Sequence, residues 1–127
     1  MESERCKVED FKFDFEELEV YQRTLNFVNK VFEVTGKFIR SFQFSLGDQF
    51  RRASLSIINN IAEGSGKQSQ DDKKRFYKYS LDSARECIPM ITISLSQRQI
   101  DQQMHNALRE DCIIICRMLA KLISATK

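Results

Sequence analysis

The stretch Gly64-Ser65-Gly66-Lys67 is the first candidate for chemistry, because glycines followed by a lysine can surround a phosphate. A Walker A loop needs its first glycine at the position where this chain has Ile61. It also needs a hydroxyl group after the lysine to bind magnesium, and Gln68 has none. The residues before the stretch follow a helical pattern, whereas a Walker A loop follows a strand. The stretch is therefore predicted to connect two helices and to bind no nucleotide.

Metal and acid–base chemistry have equally little support in the sequence. Cys112 and Cys116 lie one helical turn apart, but a metal site needs two further ligands, and the single histidine, His105, lies two turns earlier. No nucleophile is paired with a base. We therefore predict no metal, no cofactor, no catalytic residues and no enzyme activity, and we expect Cys112 and Cys116 to be buried thiols.

A row of polar residues follows one face of the second predicted helix, beside its apolar positions. We call it the polar stripe, and its members are Gln49, Arg52, Ser56, Asn60 and Glu63. One interpretation is a solvated helix face. The other is a polar seam inside the bundle or at a subunit contact, because Ser and Asn are poor helix formers that gain little from an exposed position. Asn59 lies off the stripe and is expected to be exposed.

The two charged residues of the polar stripe, Arg52 and Glu63, are expected to pair with residues of opposite charge. Glu63 lies near the C-terminal end of its helix, where a negative charge is unfavourable, so we expect it to meet Lys73, Lys74 or a neighbouring subunit. Arg52 is expected to form a largely buried pair with Glu86. Breaking such a pair would cost about 3–5 kcal/mol if burial were complete.

Basic residues cluster around the second and third predicted helices. The candidates for nucleic-acid binding are Arg51, Lys67, Lys73, Lys74, Arg75, Lys78 and Arg85. An ordinary solvated face is one interpretation, and a phosphate-contacting surface is the other. Tyr77 and Tyr79 could stack on bases, although Tyr77 fits a core position equally well.

The elements that must position these residues are four helices with apolar positions at three- and four-residue spacing. The first helix begins at Asp14 and stops at Gly36. Its apolar seam consists of Leu18, Tyr21, Leu25, Val28, Phe32 and Thr35, and Phe27, Val31 and Val34 widen this seam. A capping box at Ser45–Asp48 begins the second, and Gly64 ends it. Ser69 begins the third, which contains Pro89, and Asp101 begins the fourth. The predicted fold is all-α, an antiparallel up-down-up-down four-helix bundle.

Composition agrees with one such domain. The chain has 127 residues, 42% of them hydrophobic, with four glycines and one proline, too few turn residues for a β-sandwich. Residues 1–19 hold eight acids and three bases, and the remainder holds ten acids and seventeen bases. We predict a flexible acidic arm over residues 1–13 and a bundle domain over 14–127. No apolar run is long enough to span a membrane, so a cytoplasmic location with free thiols is expected.

The segment from Gln49 to Gly64 resembles the central signature of the 23S rRNA intervening-sequence (S23) protein family, which is roughly Q-x-x-R-A-x-x-S-I-x-x-N-I-A-E-G. The matching positions are Gln49, Arg52, Ala53, Ser56, Ile57, Asn60, Ile61, Ala62, Glu63 and Gly64. Phe76, Ser83 and Glu86 match the third-helix pattern, and Leu18 and Tyr21 the opening one. The resemblance spans about residues 15–125. The chain departs by lacking a proline after the first helix and by having Ile58 where proline is common.

The resemblance implies an all-α bundle that assembles as a homo-oligomeric ring, often a pentamer, in bacteria. It implies no catalytic activity. Genes of this family are commonly found inside sequences that interrupt bacterial 23S rRNA genes, and the family is similar to accessory proteins of diversity-generating retroelements. Structured RNA, RNA/DNA or a reverse transcriptase are therefore the expected partners. The alternative expectation is a protein–protein scaffold with no direct nucleic-acid role.

Overall fold

The computed structural model describes residues 8–127, and four long α-helices form most of it. We name them α1 (Glu19–Thr35), α2 (Asp48–Ser65), α3 (Gln70–Ser96) and α4 (Gln102–Ala125). A single helical turn, Arg40–Phe42, and a π-helical turn, Gln43–Gly47, lead into α2. All regular elements of residues 8–127 are helical, so the predicted all-α class is confirmed.

Helix α1 begins one turn later than predicted. Asp14–Glu17 form a separate 3₁₀ turn, and Leu18 then takes an extended conformation with φ −70° and ψ 129°. Asp14, Glu16 and Glu17 belong to this short turn, where Glu16 accepts a hydrogen bond from the backbone of Phe13. The C-terminal prediction is confirmed, because Gly36 follows the last residue of α1.

The connection from α1 to α2 replaces the capping box predicted at Ser45–Asp48. The Ser45 hydroxyl donates to the carbonyl of Ser41, and Gly47 is itself helical with no side-chain cap. The amide of Gln43 instead donates to the carbonyls of Thr35 and Phe38, at 2.9 and 2.8 Å. These bonds tie Gln43 to the last residue of α1 and to the segment that follows it. The predicted capping box is therefore wrong, because the residues before α2 are already helical and leave no free N-terminus to cap.

Small residues bring α2 and α3 close together. The Ser80 hydroxyl donates to the carbonyl of Ile57 at 2.7 Å, and the hydroxyls of Ser56 and Ser83 lie 2.7 Å apart. Gly64 is buried against Tyr77, so it serves helix packing, and α2 continues one residue beyond it to Ser65. The helix therefore ends one residue after Gly64, the end that was predicted.

Side-chain caps begin the last two helices, as predicted. Ser69 accepts a hydrogen bond from the backbone of Asp72 at 3.0 Å, and Asp101 accepts one from Met104 at 2.8 Å. Each cap satisfies a backbone donor that the first turn of a helix leaves unpaired. Helix α3 runs through Pro89 without interruption to Ser96.

The core lies between all four helices, with α1 beside α2 and α4, and with α3 beside α2 and α4. Its fully buried side chains include Phe27, Phe50, Ile57, Ile61, Ile91, Leu108, Ile115 and Leu119. The predicted seam of α1 is shifted. Leu25 and Phe32 are 41% and 43% exposed, whereas Phe27 and Val31 are fully buried. The residues expected to widen the seam therefore form its centre.

Among residues 8–127, no helix carries an apolar stretch of the length and hydropathy that crossing a membrane requires.

Candidate functional site

The polar stripe divides into an inner and an outer part. The inner part holds Ser56 and Asn60, which are half-buried between α2 and α3. The Asn60 amide donates to the backbone carbonyl and to the hydroxyl of Ser56, at 2.8 and 3.1 Å, and that hydroxyl meets Ser83. These three side chains form a polar contact inside the chain, at the junction of two helices.

The outer part of the polar stripe faces solvent in the single chain. Arg52 is paired with Asp48 at 3.1 Å, its side chain is 78% exposed, and Glu86 is exposed as well. The expected buried Arg52–Glu86 pair is therefore wrong for the single chain. Glu63 pairs with Lys67 at 3.6 Å, one turn further along, and not with Lys73 or Lys74. Asn59 is exposed, as expected.

A groove of about 440 Å³ runs along this outer part, between α2 and α3. We call it the stripe groove. Arg52 and Glu86 both line it, together with polar Gln49 and Ser56 and apolar Ala53, Pro89 and Met90. Its surface thus combines one cation, one anion, neutral donors and acceptors, and apolar atoms. Such a mixture suits contact with another protein surface better than contact with a polyanion.

Four of the seven predicted nucleic-acid-binding cations are engaged within the chain. Arg51 donates to the carbonyl of Gln43 and Lys73 to that of Ser65, each at 2.8 Å. Lys67 and Arg75 form ion pairs with Glu63 and Asp72, and both cations lie over the ring of Phe76, 4.9 and 5.2 Å from its centroid. Lys73 thereby binds a carbonyl at the end of α2, where a cation is favourable.

The other three predicted cations, Lys74, Lys78 and Arg85, follow each other along α3 at the spacing of one helix face. Arg85, on this face, acts electrostatically on the thiol of Cys116 of α4. Arg85 and Lys78 are exposed and Lys74 is half-buried. None of the three has an ion pair within 4 Å among the described residues.

Two arginines of α4 extend this surface. Arg109 and Arg117 are exposed, lie two turns apart, and line one shallow groove with Ile113. Arg109 lies near Cys112, on the side of α4 that meets α3. Neither arginine has an ion pair among residues 8–127. We call the five residues Lys74, Lys78, Arg85, Arg109 and Arg117 the basic face.

Sequence reasoning missed Arg109 and Arg117, because it grouped basic residues by their nearness along the chain. The sequence does contain a pattern that could have found them: Arg109, Ile113 and Arg117 repeat every four residues, and each of Ile113 and Arg117 directly follows a cysteine, Cys112 or Cys116. Glu110 lines the same groove as Arg109 and Arg117, and Asp82 lies one helical turn from both Lys78 and Arg85, so the excess of positive charge on the basic face is moderate.

The two candidate stacking residues are in different environments. Tyr77 is buried against Gly64, with its hydroxyl 3.3 Å from that of Ser65, so it is a core residue and cannot stack on a base. Tyr79 is 46% exposed and makes an edge-to-face contact with Phe76. Tyr79 therefore remains the one of the pair that is accessible to a ligand.

Three cysteines meet between α3 and α4. Cys87 and Cys112 are fully buried, and the Cys112 thiol donates to the carbonyl of Ala84 at 3.0 Å. Cys116, one turn later, is only half-buried, which corrects the expectation of a buried thiol. Within residues 8–127, no group of three or more His, Cys, Asp or Glu side chains is placed to hold a metal ion. Cys6 lies outside the described residues.

The surroundings set very different pKa values for these thiols. Burial raises the pKa of Cys87 to about 12. The neighbouring Cys116 side chain and burial both raise the pKa of Cys112. The neighbouring Cys112 side chain lowers the pKa of Cys116 to about 7, with help from Arg85 and against the effect of burial.

Comparisons with known proteins agree on one family. The model of the 23S rRNA-intervening sequence protein family matches residues 16–121. A crystal structure of a protein with unknown function from the S23 ribosomal protein family of Bacteroides thetaiotaomicron VPI-5482 has a TM-score of 0.77. The two sequences are 21% identical over 83% of this chain and 95% of that one, so this likeness shows the fold. No match was found among curated protein sequences. Because the family model matches most of the chain, this protein belongs to the 23S rRNA-intervening sequence protein family.

Proposed function

We propose that this protein is a non-enzymatic, ring-forming bundle, cytoplasmic and associated with structured RNA or RNA/DNA through its basic face. The observation that carries the proposal is the difference between two sides of α3. On the side of α2, Arg52, Lys67 and Arg75 form ion pairs, and Arg51 and Lys73 bind backbone carbonyls. The five cations of the basic face have no ion pair among the described residues. Unpaired cations at one surface are what phosphate contacts require.

The proposal includes an up-down-up-down arrangement of the helices. It is supported by short connections and by contacts that pair residues in opposite order along α2 and α3. Ser56 meets Ser83, and nearer the turn Ser65 meets Tyr77. In this arrangement α3 contributes to both the stripe groove and the basic face, which are adjacent on it, because Arg85 and Pro89 lie one helical turn apart.

The test is a salt titration of binding to a hairpin RNA and to an RNA/DNA hybrid. The variant Lys74→Gln/Lys78→Gln/Arg85→Gln removes three cations of the basic face. The control Lys67→Gln/Lys73→Gln/Arg75→Gln removes the same charge from residues that already have partners. Each lost phosphate contact lowers the slope of log affinity against log salt concentration by about 0.7–0.9. We expect the first variant to lose about two to three units of slope and the control to lose less than one.

Two outcomes would count against this function. Equal losses in both variants would mean that only net charge matters and that the basic face is not a contact. The absence of any binding by the unaltered protein at low salt would reject nucleic-acid association altogether. Circular dichroism and unfolding of both variants must match, so that neither result reflects a loss of folding.

A second function, a protein–protein scaffold such as an accessory subunit of a reverse transcriptase, is favoured by the stripe groove. Arg52 and Glu86 are both exposed there, on facing helices, and are not paired with each other. A pull-down that yields a stable protein partner, insensitive to nuclease and lost in Arg52→Glu, would support this function. Retention of that partner by Arg52→Glu would exclude the stripe groove as the contact.

A further inference from the structure

A row of three phenylalanine rings lies just before α1, and two of the rings are largely exposed. The rings of Phe11 and Phe13 meet edge to face with their centroids 5.1 Å apart, and Phe13 stacks on Phe15 at 5.5 Å. Phe11 and Phe13 are 63% and 55% exposed. Neighbouring aromatic rings that are open to solvent are typical of a contact with another protein surface. We call the three rings the Phe row, and residues 8–17, which carry it, the aromatic segment.

The bundle holds the aromatic segment at one end. The Phe15 ring lies 5.1 Å from the ring of Tyr21 in α1, and the Gln22 amide donates to the carbonyl of Glu16 at 3.1 Å. The 3₁₀ turn that ends the segment also contacts α2. The Phe row is therefore positioned beside α1 and α2, with Phe11 and Phe13 open to solvent.

The aromatic segment is strongly acidic. Its one base is Lys12, and its five acids are Glu9, Asp10, Asp14, Glu16 and Glu17. None of the five acids has an ion pair among the described residues. Aromatic rings bordered by carboxylates favour a partner rich in arginine, because a guanidinium group pairs with carboxylates and also lies over aromatic rings.

One face of α4 carries arginines in a matching arrangement. A shallow groove of about 460 Å³ is lined there by Arg109, Ile113, Ile114 and Arg117, together with Asn106 and Glu110. We call it the α4 groove. Its two arginines are eight residues apart, which is about 12 Å along a helix. The Phe row has a similar length of at most about 11 Å, because its centroids are spaced by 5.1 and 5.5 Å.

The α4 groove faces away from the rest of its own bundle. Toward α1, α4 presents Asp111, which pairs with Lys30 at 2.8 Å, and toward α3 it presents Cys112, which donates to the carbonyl of Ala84. At about 100° per residue, the middle of the groove, between Ile113 and Arg117, points away from both. Because the aromatic segment lies beside α1 and α2, a contact between the two surfaces joins separate copies of the chain.

We propose that the aromatic segment of one copy docks in the α4 groove of a second copy. The exposed rings of Phe11 and Phe13 cover the isoleucines of the groove, and the acids around them pair with Arg109 and Arg117. The one acid of the groove, Glu110, meets the one base of the segment. The two surfaces are unlike, so the contact joins copies head to tail.

The charges distinguish the α4 groove from the stripe groove as the place where the segment docks. The one arginine of the stripe groove, Arg52, is already paired with Asp48, whereas Arg109 and Arg117 have no ion pair among residues 8–127. These two arginines also belong to the basic face. A docked segment therefore occupies two cations that the proposed function assigns to phosphate, although the contact itself needs no nucleic acid.

The experiment detects the contact by cross-linking between isotopically distinct copies. One full-length chain carries photoreactive benzoylphenylalanine in place of Phe13, and a second, unaltered at that position, is labelled with nitrogen-15. The two are mixed in urea, refolded together and irradiated without nucleic acid, and mass spectrometry identifies the joined peptides. We expect cross-links from position 13 of the unlabelled chain to residues 106–117 of the labelled one. Their yield should fall at about 1 M salt, where the screening length is about 3 Å.

Matched variants of the labelled chain test the charges. Arg109→Glu/Arg117→Glu should lower the yield at least about tenfold, because it removes two attractions and adds two repulsions. The control Lys78→Glu/Arg85→Glu makes the same charge change on the basic face outside the α4 groove and should lower the yield less than about threefold. Circular dichroism and urea unfolding of both variants must match those of the unaltered chain.

Three results would overturn the inference. They are cross-links that never join the two isotopes, cross-links to segments other than residues 106–117, and a yield that Arg109→Glu/Arg117→Glu leaves unchanged. Benzoylphenylalanine in place of Phe44, which is 89% exposed, serves as the control for random collision and should not cross-link to residues 106–117. Because the contact is located by position and without nucleic acid, this inference and the proposed function can fail independently of each other.

Discussion

At the scale of single residues, Gly64 shows how tightly α2 and α3 are packed. A Cβ atom at this position would lie 2.8 Å from Cε1 of Tyr77 and 3.2 Å from Cβ of Phe76. The Tyr77 ring is buried and its hydroxyl meets Ser65, so the ring has little room to move aside. The glycine of the family signature is therefore explained by packing and not by an unusual backbone conformation.

We expect Gly64→Ala to lower the free energy of unfolding by about 1–2 kcal/mol. Overpacking costs about 1–3 kcal/mol, and alanine recovers up to about 1 kcal/mol through its higher helix propensity. Urea unfolding measures the difference. The control is Gly66→Ala, where the nearest atom to a new Cβ is 3.7 Å away and a change below about 0.5 kcal/mol is expected. A Gly64→Ala protein as stable as the unaltered one would contradict this account of the packing.

At the scale of elements, the sequence-based predictions were correct where a feature depends on residues nearby in the chain, and wrong where it depends on a distant element. The caps at Ser69 and Asp101 were predicted correctly, because an N-cap depends on residues within one turn. Ser45 has the same local pattern, but Gln43 binds the end of α1, and the residues just before α2 are already helical. That interaction depends on an earlier helix and is invisible to a local pattern.

The difference between Ser69 and Ser45 is directly testable. Ser69→Ala should cost about 1 kcal/mol of unfolding free energy, because it leaves the backbone donor of Asp72 without its partner. Ser45→Ala should change stability by less than about 0.5 kcal/mol, since its 3.4 Å bond to Ser41 is exposed. Thermal unfolding of both variants decides between them. Equal costs would show that Ser45 caps α2 after all.

For the candidate site too, contacts within one helix were predictable and contacts between helices were not. The spacing of the polar stripe was sufficient to place Ser56 and Asn60 together. It could not show that Arg52 turns to Asp48 on its own helix and not to Glu86 across the groove. Three of the five residues of the basic face were predicted, and the two missed ones, Arg109 and Arg117, lie on α4, far from the others along the sequence.

At the scale of the whole molecule, the exposed Arg52 and Glu86 bear on assembly. Within one chain, the Arg52–Asp48 pair is solvent-exposed, so its loss should cost less than about 1 kcal/mol and not the 3–5 kcal/mol of a buried pair. A larger role would require a second copy to cover the stripe groove. The proposed ring would bring such a copy.

Light scattering on charge-reversed variants tests this role. If the stripe groove joins subunits through Arg52 and Glu86, Arg52→Glu should lower the measured mass toward that of one chain, 14.9 kDa. The double variant Arg52→Glu/Glu86→Arg should restore the larger mass, because it exchanges the charges and keeps the pairing. Lys37→Glu, an exposed charge reversal on another surface, serves as the control. An oligomer that survives Arg52→Glu unchanged would remove this pair from the subunit contact.

The π-helical turn before α2 has a consequence for the length of the chain. A π turn holds one residue more than an α-helical turn. Within Gln43–Gly47, Phe44 is 89% exposed and contributes little to the core. Deleting Phe44 should therefore convert the turn to an ordinary α-helix while α2 keeps its packing, with cooperative urea unfolding retained. The same deletion inside α2, at Leu55, would rotate half of the polar stripe by about 100° and should abolish the fold. The chain thus has a place that can absorb an inserted or lost residue, just ahead of a helix that cannot.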